Sequence, residues 1–544
     1  MRAMSVPVYD VCVIGSGAAG GMVTHALTQA GAKVLLVEAG KRISATDLLS
    51  HEWPWQLPYR GLRGEKQALF SPPDLRDAIR YEDSDPGVGV SQVHVLGGRT
   101  MHWNAVVLRY APQDFRERSL NGWEVDWPLG YDELAPYYDR AERLMGVCGQ
   151  DDGLDILPAG KSYAPPIPFR CSEEILRRSC RALDIPVIPV RKALLRKGSG
   201  AQAPCHYCGH CMDGCDVGAI FNTPGHLLPQ AFATGNLTLR QNSLARELLL
   251  DQAGKIRAVS LVDRLTRQES EVRARVFVLC CATVETARLL LNSRSPRRPD
   301  GLANGSGVVG RHLHGHLTNR LLLYLDELKG RAPRNEDGAT DHAYIPRFNH
   351  RLDWAQPDVG SYAYQVNFIG YQYPAHATRV PGYGARYKQK VRAWQPGLLQ
   401  LGGYGKVFAR PENRITVHPD LKDAFGIPLP VVQFRFGEQD RAVWKAMNAS
   451  TLTITERMPG LRLPEFGDGP SGFASHEVGT VRMGRDPATS AVNPYGQAHE
   501  VPNLFVSDGS TFPTSSEKNP TLTIMALSLR TADFIARQRR MGAL

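Results

Sequence analysis

Residues 9–40, YDVCVIGSGAAGGMVTHALTQAGAKVLLVEAG, decide how the rest of the chain is read. Residues 11–14 are wholly apolar, as expected of a parallel strand covered on both faces. Gly15, Gly17 and Gly20 follow in GxGxxG spacing. In such a turn the first glycine permits the tight bend and the second lets backbone approach a pyrophosphate. The third lets helix pack against strand. The helix that follows points its N-terminal N–H groups at that phosphate, and Gly31 ends it. A second buried strand, KVLLVE, delivers Glu38 about twenty residues past the glycines, where an acid can bind a ribose 2′-OH. Strand, turn, helix, strand and acid in that order predict a dinucleotide site. The fingerprint does not separate FAD from NAD.

A chain of 544 residues predicts about two to four structural units. No run of 18 or more apolar residues occurs, so no membrane span is expected. MRAMSVPVYD lacks an apolar core and a cleavage site, so no export signal is expected and a cytoplasmic location follows. The net charge of +10 comes from singly scattered basic residues. It reads as an arginine-rich background, with docking of an acidic partner protein as the alternative. With no basic stripe or recognised module, no nucleic-acid partner is expected.

The ten cysteines divide unevenly. Cys12, Cys280 and Cys281 lie in apolar runs and read as small core residues, while Cys148, Cys171 and Cys180 are isolated. Residues 205–215, CHYCGHCMDGC, hold the other four in C-x2-C-x2-C-x3-C spacing. This matches the bacterial ferredoxin run, with Asp216 in place of the usual proline. The expected reading is an iron–sulfur cluster of three or four irons on Cys205, Cys208 and Cys211, the role of Cys215 being open. Zinc is disfavoured because its paired cysteines are usually farther apart. Disulfides are disfavoured without export, and free thiols are a further alternative. His206 and His210 read as solvated or adjacent to the cluster.

The rest of the chain alternates in character. YDELAPYYDRAERLMG is helical, NLTLRQNSLARELLLD and KIRAVSLVD are strand-like, and VRARVFVLCCATVETARLLLNS passes from strand to helix. Residues 320–470, including SYAYQVNFIGYQY and LPVVQFRF, fit an antiparallel sheet. The C-terminal run is a strand, a loop and an amphipathic helix.

Six ordered motifs now accumulate: VIGSGAAGG with VEAG, LGGRTMHWN, VLCCATVETARLLLNS, VVGRHLHGH at 308–316, ASHEVGTVRMG at 474–484, and NLFVSDGSTFPTSSEKNPTLTIMALS at 503–528. Together they resemble the glucose-methanol-choline (GMC) family of FAD-dependent oxidoreductases over nearly the whole chain. The resemblance implies an α/β fold, α+β overall. A Rossmann-like FAD-binding domain (1–110, 205–318 and 471–544) would be interrupted by a substrate domain (111–200 and 319–470) with a mainly antiparallel sheet and helices. Residues 201–220 would form the cysteine loop. The resemblance also implies FAD as cofactor, its ADP half held by Gly15, Gly17, Ala18 and Glu38, with Ala245 offering backbone to the adenine. Gly98, Thr100 and Asn104 would line the flavin, Asp508 the ribityl chain and Thr521 the ring edge. In related pyranose oxidases the histidine of a similar segment is covalently joined to the flavin, so GGRTMHW leaves both covalent and non-covalent FAD open at His102.

Oxidising an alcohol removes a hydroxyl proton and a hydride from one carbon, and the proton needs a base that is neutral near pH 7. His476 matches the family's catalytic histidine and Asn519 its partner, whose amide would hold the substrate oxygen in line. Without that context His476 reads as a core or helix-cap histidine. Pro520 opens an amphipathic helix whose Leu522, Met525, Ala526 and Leu529 share one face. The N–H groups of that helix end favour negative charge on a reduced flavin.

CHYCGHCMDGCDVGA and PENRITVHPDLKDAFGIPLP resemble the bacterial sugar dehydrogenase branch, especially enzymes that oxidise the 3-hydroxyl of glucosides. The implied activity is FAD-dependent oxidation of a secondary sugar hydroxyl at C3, with electrons leaving through the iron–sulfur cluster to a small subunit or cytochrome. Such relatives often pair with a small subunit that carries the export signal, so periplasmic location by escort is the alternative. A peroxide-forming pyranose or glycoside oxidase is the competing activity. A lyase with structural FAD is a third, though it has no electrons to export.

Overall fold

The computed structural model describes residues 8–48, 70, 73–75, 79–90, 92–198, 203–332, 339–367, 380–472 and 475–544. β1 (Val8–Ile14) runs through the glycine turn into α1 (Ala18–Gln29), and the chain returns as β2 (Val34–Val37). Both strands are buried on both faces, which explains their unbroken apolar runs. β1 pairs in parallel with β2 on one edge and with β3 (Glu269–Leu279) on the other. Leu237–Arg240 pairs in parallel beyond β2, and Leu504–Val506 pairs in parallel with the end of β3. An antiparallel pair, Ser243–Leu250 and Ile256–Asp263, extends this to seven strands.

The chain therefore moves to one side of β1 for β2 and to the other for β3. Open α/β sheets place ligands at such a reversal, outside the carboxyl ends of the strands. α2 (Thr283–Asn292) leaves the end of β3, and α3 (Thr521–Arg540) packs against α1. Leu522, Met525, Ala526 and Leu529 of α3 are all fully buried in one cluster with Met22 and Val23 of α1, as their spacing predicted.

β4 (His316–Leu325), β5 (Tyr362–Val366) and β6 (Leu398–Lys406) form the centre of a second, antiparallel sheet in the order β4–β6–β5. Gly460–Glu465 adds beyond β4, and Ala343–Ile345 then Ile188–Pro189 beyond β5. Helix Glu438–Glu456 covers one face, burying Val443, Ala446 and Met447 against Leu317, Leu321 and Leu401. The antiparallel reading is met for this sheet, whereas LPVVQFRF pairs antiparallel with Arg414–Lys422 in a separate three-stranded sheet that also takes Arg80–Tyr81 in parallel. The alternation of SYAYQVNFIGYQY is a strand as far as Val366, and 368–373 lie outside the described residues.

One expectation needs correction. Cys12 and Cys280 are core residues, but Cys281 is only partly buried and faces a cavity. β3 stops at Leu279; the Cys280 N–H still bonds the Ile14 carbonyl at 2.8 Å, and Cys281 lies one residue farther toward α2. Among the described residues, no helix is long and apolar enough to cross a membrane.

Candidate active site

A cavity of about 1320 Å³ opens at the carboxyl ends of β1 and β3 and runs to the antiparallel sheet. Gly15, Gly17, Ala18, Glu38, Ala245 and Asp508 line one part of it. Gly98, Thr100, His102, Asn104, His476, Asn519 and Thr521 line another. Gly20 does not reach it. A Cβ at Gly20 would lie 1.8 Å from the Gly15 carbonyl oxygen, so this glycine serves the closure of α1 onto the turn, as its place in the motif predicted. Gly15 has φ +96°, and a Cβ there would lie 2.3 Å from the Cys280 carbonyl oxygen. A Cβ at Gly17 would meet nothing within 4 Å. The first and third glycines are thus required by the protein itself, whereas the space at the second is left for something else. That asymmetry fits a dinucleotide pyrophosphate.

Glu38 is tied down by protein groups. It accepts from the Ser16 N–H at 3.1 Å, the Ser16 hydroxyl at 2.6 Å and the Gly40 N–H at 2.8 Å. Burial pushes its carboxyl up, against these hydrogen bonds. Ser16 Oγ in turn accepts from the Gly97 N–H at 2.8 Å, so one hydroxyl links the end of β2 to the 97–100 turn. Thr223 completes the join, donating its hydroxyl to the Ser16 carbonyl at 2.8 Å and its N–H to Thr100 Oγ1 at 3.2 Å. Neither Ser16 nor Thr223 was singled out in the sequence, because their roles depend on segments about 80 and 200 residues away.

Asp508 is held by protein groups as well as lining the cavity. Its two oxygens accept from Ala282 N–H, Thr286 Oγ1, Ser510 N–H and Ser510 Oγ, so it caps α2 and the turn after Leu504–Val506 while lining the cavity. Ala245 is paired with Leu261 immediately before the ladder with Ile256–Asp263 shifts register, beside the cavity. The His102 ring packs on Phe70 with centroids 4.6 Å apart.

At the other end, His476 is brought together with Asn519. His476 Nε2 lies 3.2 Å from Asn519 Nδ2, and His476 Nδ1 lies 2.9 Å from Nδ1 of His316. Burial holds His476 well below the ordinary histidine range, and His316 and the Arg99 guanidinium add to this. The adjacent Ser475 has φ +66°, an unfavourable conformation for a residue with a Cβ, here beside a candidate catalytic group. Arg99 donates to the Ser475 carbonyl at 2.8 Å and pairs with the Glu477 carboxylate at 2.6 Å, tying together the residues on both sides of His476.

Asn519 is positioned by a buried ion cluster. Lys518 Nζ lies 2.9 Å from Asp114, 2.7 Å from Glu517 and 3.2 Å from Ser516 Oγ, all deeply buried. Tyr404 of β6 packs against both histidines, its centroid 5.8 Å from His316 and 5.6 Å from His476. Arg320 of β4 pairs with Glu465 on the same wall. His316, Gln365, Tyr404 and Arg320 were not assigned roles from sequence. His316 lay inside a quoted motif, and the others look like ordinary strand residues.

The cysteine loop borders this cavity through Met212 and Asp213. All four thiols are free, and the Tyr207 N–H donates to Cys205 Sγ at 3.3 Å. Burial pushes Cys205 up to about 12 and Cys208 to about 11, with Cys211 and Cys215 near enough to contribute. Yet among the described residues no three His, Cys, Asp or Glu side chains converge as a group able to hold a metal ion. The thiols are neighbours along a turning loop, and their arrangement here does not fit a cluster.

A glycine cradle at a parallel-sheet reversal, continuous with a partly buried histidine–amide pair, fits a redox enzyme that works on a nucleotide-bound cofactor. The sequence comparisons carry this to a family. The N-terminal GMC oxidoreductase pattern matches residues 88–318 and the C-terminal one residues 409–528. The chain is 31% identical to paromamine 6'-oxidase of Streptomyces fradiae, over 97% of its length and 91% of that protein. It is 30% identical to 2-methyl-1,2-propanediol dehydrogenase of Mycolicibacterium austroafricanum, over 97% and 95%. It is 27% identical to the fructose dehydrogenase large subunit of Gluconobacter japonicus, over 98% of both. In fold it is similar to pyridoxine 4-oxidase from Mesorbium loti, with a TM-score of 0.67 and 18% identity over 97% of this chain and 99% of that one. The protein belongs to the GMC oxidoreductase family. It is an oxidoreductase acting on CH–OH groups, and the family supports FAD as its cofactor.

Proposed function

We propose that the protein is an FAD-dependent dehydrogenase that oxidises a secondary hydroxyl of a sugar or glycoside, at C3, to the ketone. His476 is the base and Asn519 its partner. The observation that carries this is the pairing of His476 Nε2 with Asn519 Nδ2 on the wall of the cavity, at the end away from the glycine turn. Bound FAD supplies the two-electron acceptor for the hydride. The chain's own residues do the rest.

Gly15, Gly17, Ala18, Glu38 and Ala245 hold the ADP half of FAD. Gly98, Thr100, His102, Asn104, Asp508 and Thr521 surround its flavin half. His476, kept neutral by burial, accepts the hydroxyl proton at Nε2 as the C–H electron pair leaves with the hydrogen. The Asn519 amide donates to the substrate oxygen and holds it in line. The Tyr404 ring covers one side of His476. The charged Arg320–Glu465 pair on the substrate wall suits a polyhydroxylated substrate better than an apolar alcohol, because a sugar can replace the water around those groups. The name of the similar fructose dehydrogenase large subunit favours the same class.

The cysteine spacing alone suggests an iron–sulfur exit through Cys205, Cys208, Cys211 and Cys215 to a small subunit or cytochrome, against the arrangement of the thiols in this structure. It carries no step of this mechanism, and iron and acid-labile sulfide analysis of purified protein decides it. A second reading, an oxidase that forms hydrogen peroxide, is favoured by the name of the similar paromamine 6'-oxidase. One experiment separates these. Anaerobic addition of a glucoside panel should bleach the flavin and yield 3-keto products, with slow recolouring in air. Rapid recolouring means an oxidase, absence of bleaching by any sugar sinks the substrate class, and undiminished turnover in His476→Ala sinks the base.

A further inference from the structure

We infer that His316 is a positioning residue that holds His476 in the one neutral tautomer able to accept the alcohol proton; this rests on His476 being the base. The hydrogen-bond chain around His316 allows a single assignment of protons. His316 Nε2 lies 2.6 Å from the Ser516 carbonyl oxygen, which can only accept, so Nε2 carries the hydrogen. Burial pushes His316 down to about 4, so near neutrality the ring has no second proton. Its Nδ1 is therefore a lone pair. That lone pair lies 2.9 Å from Nδ1 of His476, which must be the donor.

A neutral His476 with hydrogen on Nδ1 has its lone pair on Nε2, facing the Asn519 amide at 3.2 Å. The opposite tautomer would set two lone pairs against each other across the His316 contact and two N–H groups against each other at Asn519. Each end of the ring thus rejects it independently. When Nε2 takes the substrate proton, the Nδ1–H bond to His316 persists and strengthens as the ring becomes cationic. No proton travels farther, because the chain ends on a carbonyl.

The anchor of this chain is rigid. The two imidazoles meet edge-on, 85° apart, with centroids at 4.9 Å. His316 opens β4 and is paired across the sheet with Lys406 of β6. The Ser516 carbonyl belongs to the segment pinned by Lys518 to Asp114 and Glu517. The ion cluster therefore sets the carbonyl, the carbonyl sets the His316 tautomer, and His316 sets that of His476.

The test uses flavin-loaded protein. In His316→Leu, anaerobic flavin reduction by the best glucoside of the panel should slow by about 10²- to 10³-fold, with KM changed less than about threefold. His316→Asn, which can present Oδ1 where Nδ1 was, should recover to within about tenfold of native. In 15N-histidine NMR without substrate, the signal lost in His476→Ala should show hydrogen on Nδ1 in native protein and shift toward Nε2–H in His316→Leu. A native reduction rate in His316→Leu, an asparagine variant no better than leucine, or an Nε2–H signal for native His476 overturns the inference. If His316→Leu does not fold, the native NMR tautomer decides alone. Turnover that survives His476→Ala sinks the base assignment instead, whereas loss there with an active His316→Leu sinks only the positioning role.

Discussion

Gln365 Nε2 donates a 2.8 Å hydrogen bond to Oδ1 of Asn519, and that bond turns the amide so that its Nδ2 faces His476. A side chain of the antiparallel sheet thus orients a group at the head of α3. Gln365→Leu removes the restraint and is expected to lower kcat about tenfold. Gln365→Glu should be worse, because its carboxylate attracts the Asn519 N–H₂ and turns Oδ1 toward His476. Steady-state kinetics on the two variants check this ordering, and equal losses would count against an orienting role.

The glycine turn predicts opposite failures at two positions three residues apart. Gly20→Ala puts a methyl 1.8 Å from the Gly15 carbonyl, so the protein should lose thermal stability and flavin together. Gly17→Ala meets no protein atom within 4 Å, so the apoprotein's Tm should stay within about 2 °C of native while flavin retention falls. Absorbance ratios after gel filtration, with thermal melts of flavin-stripped protein, distinguish the two.

Lys518 neutralises two carboxylates at once. Although burial works in the other direction, Lys518 and Arg347 hold Glu517 well below the usual carboxylate range. Lys518→Met leaves Asp114 and Glu517 together without their nearest cation and should cost about 3–5 kcal/mol. Urea denaturation at pH 7.5 measures it. A loss below about 1 kcal/mol would mean that the cluster is relaxed by water.

His312 offers an isolated test of pH dependence. Burial pushes it down to about 3, while the unfolded chain protonates histidine near 6.5. The unfolded state therefore binds the extra proton as pH falls below 6.5, and folding stability declines until the folded value is reached. Buried carboxyls raised by desolvation, such as Asp341 at about 7, act in the opposite sense, so the total slope mixes both. Comparison of wild type with His312→Gln removes one contribution. The drop in unfolding free energy between pH 7 and pH 5 should be up to about 2 kcal/mol smaller in the variant. An unchanged drop would show that His312 protonates in the folded protein.

Much of the nucleotide end was legible in residues 9–40. A strand buried on both faces and glycines at fixed offsets are local requirements, so periodicity and spacing expose them. The roles proposed for His476 and Asn519 come from family motifs, since nothing local distinguishes either from a core residue. Ser16, Thr223, Gln365, Tyr404 and Arg320 carry no comparable signal, since each acts on partners far along the chain. The cysteine spacing was legible as a pattern, but spacing says which thiols are near and leaves their directions to the loop.

By itself the sequence determined the strand–turn–helix–strand unit, the antiparallel character of the second sheet and the buried face of α3, because local sterics and burial periodicity act within a few residues. Only the tertiary structure decided which carbonyl meets His316, which amide oxygen meets Gln365 and where the hydrogen of His476 must sit. Those choices depend on hydrogen-bond directions across elements up to 200 residues apart, and no local preference encodes them.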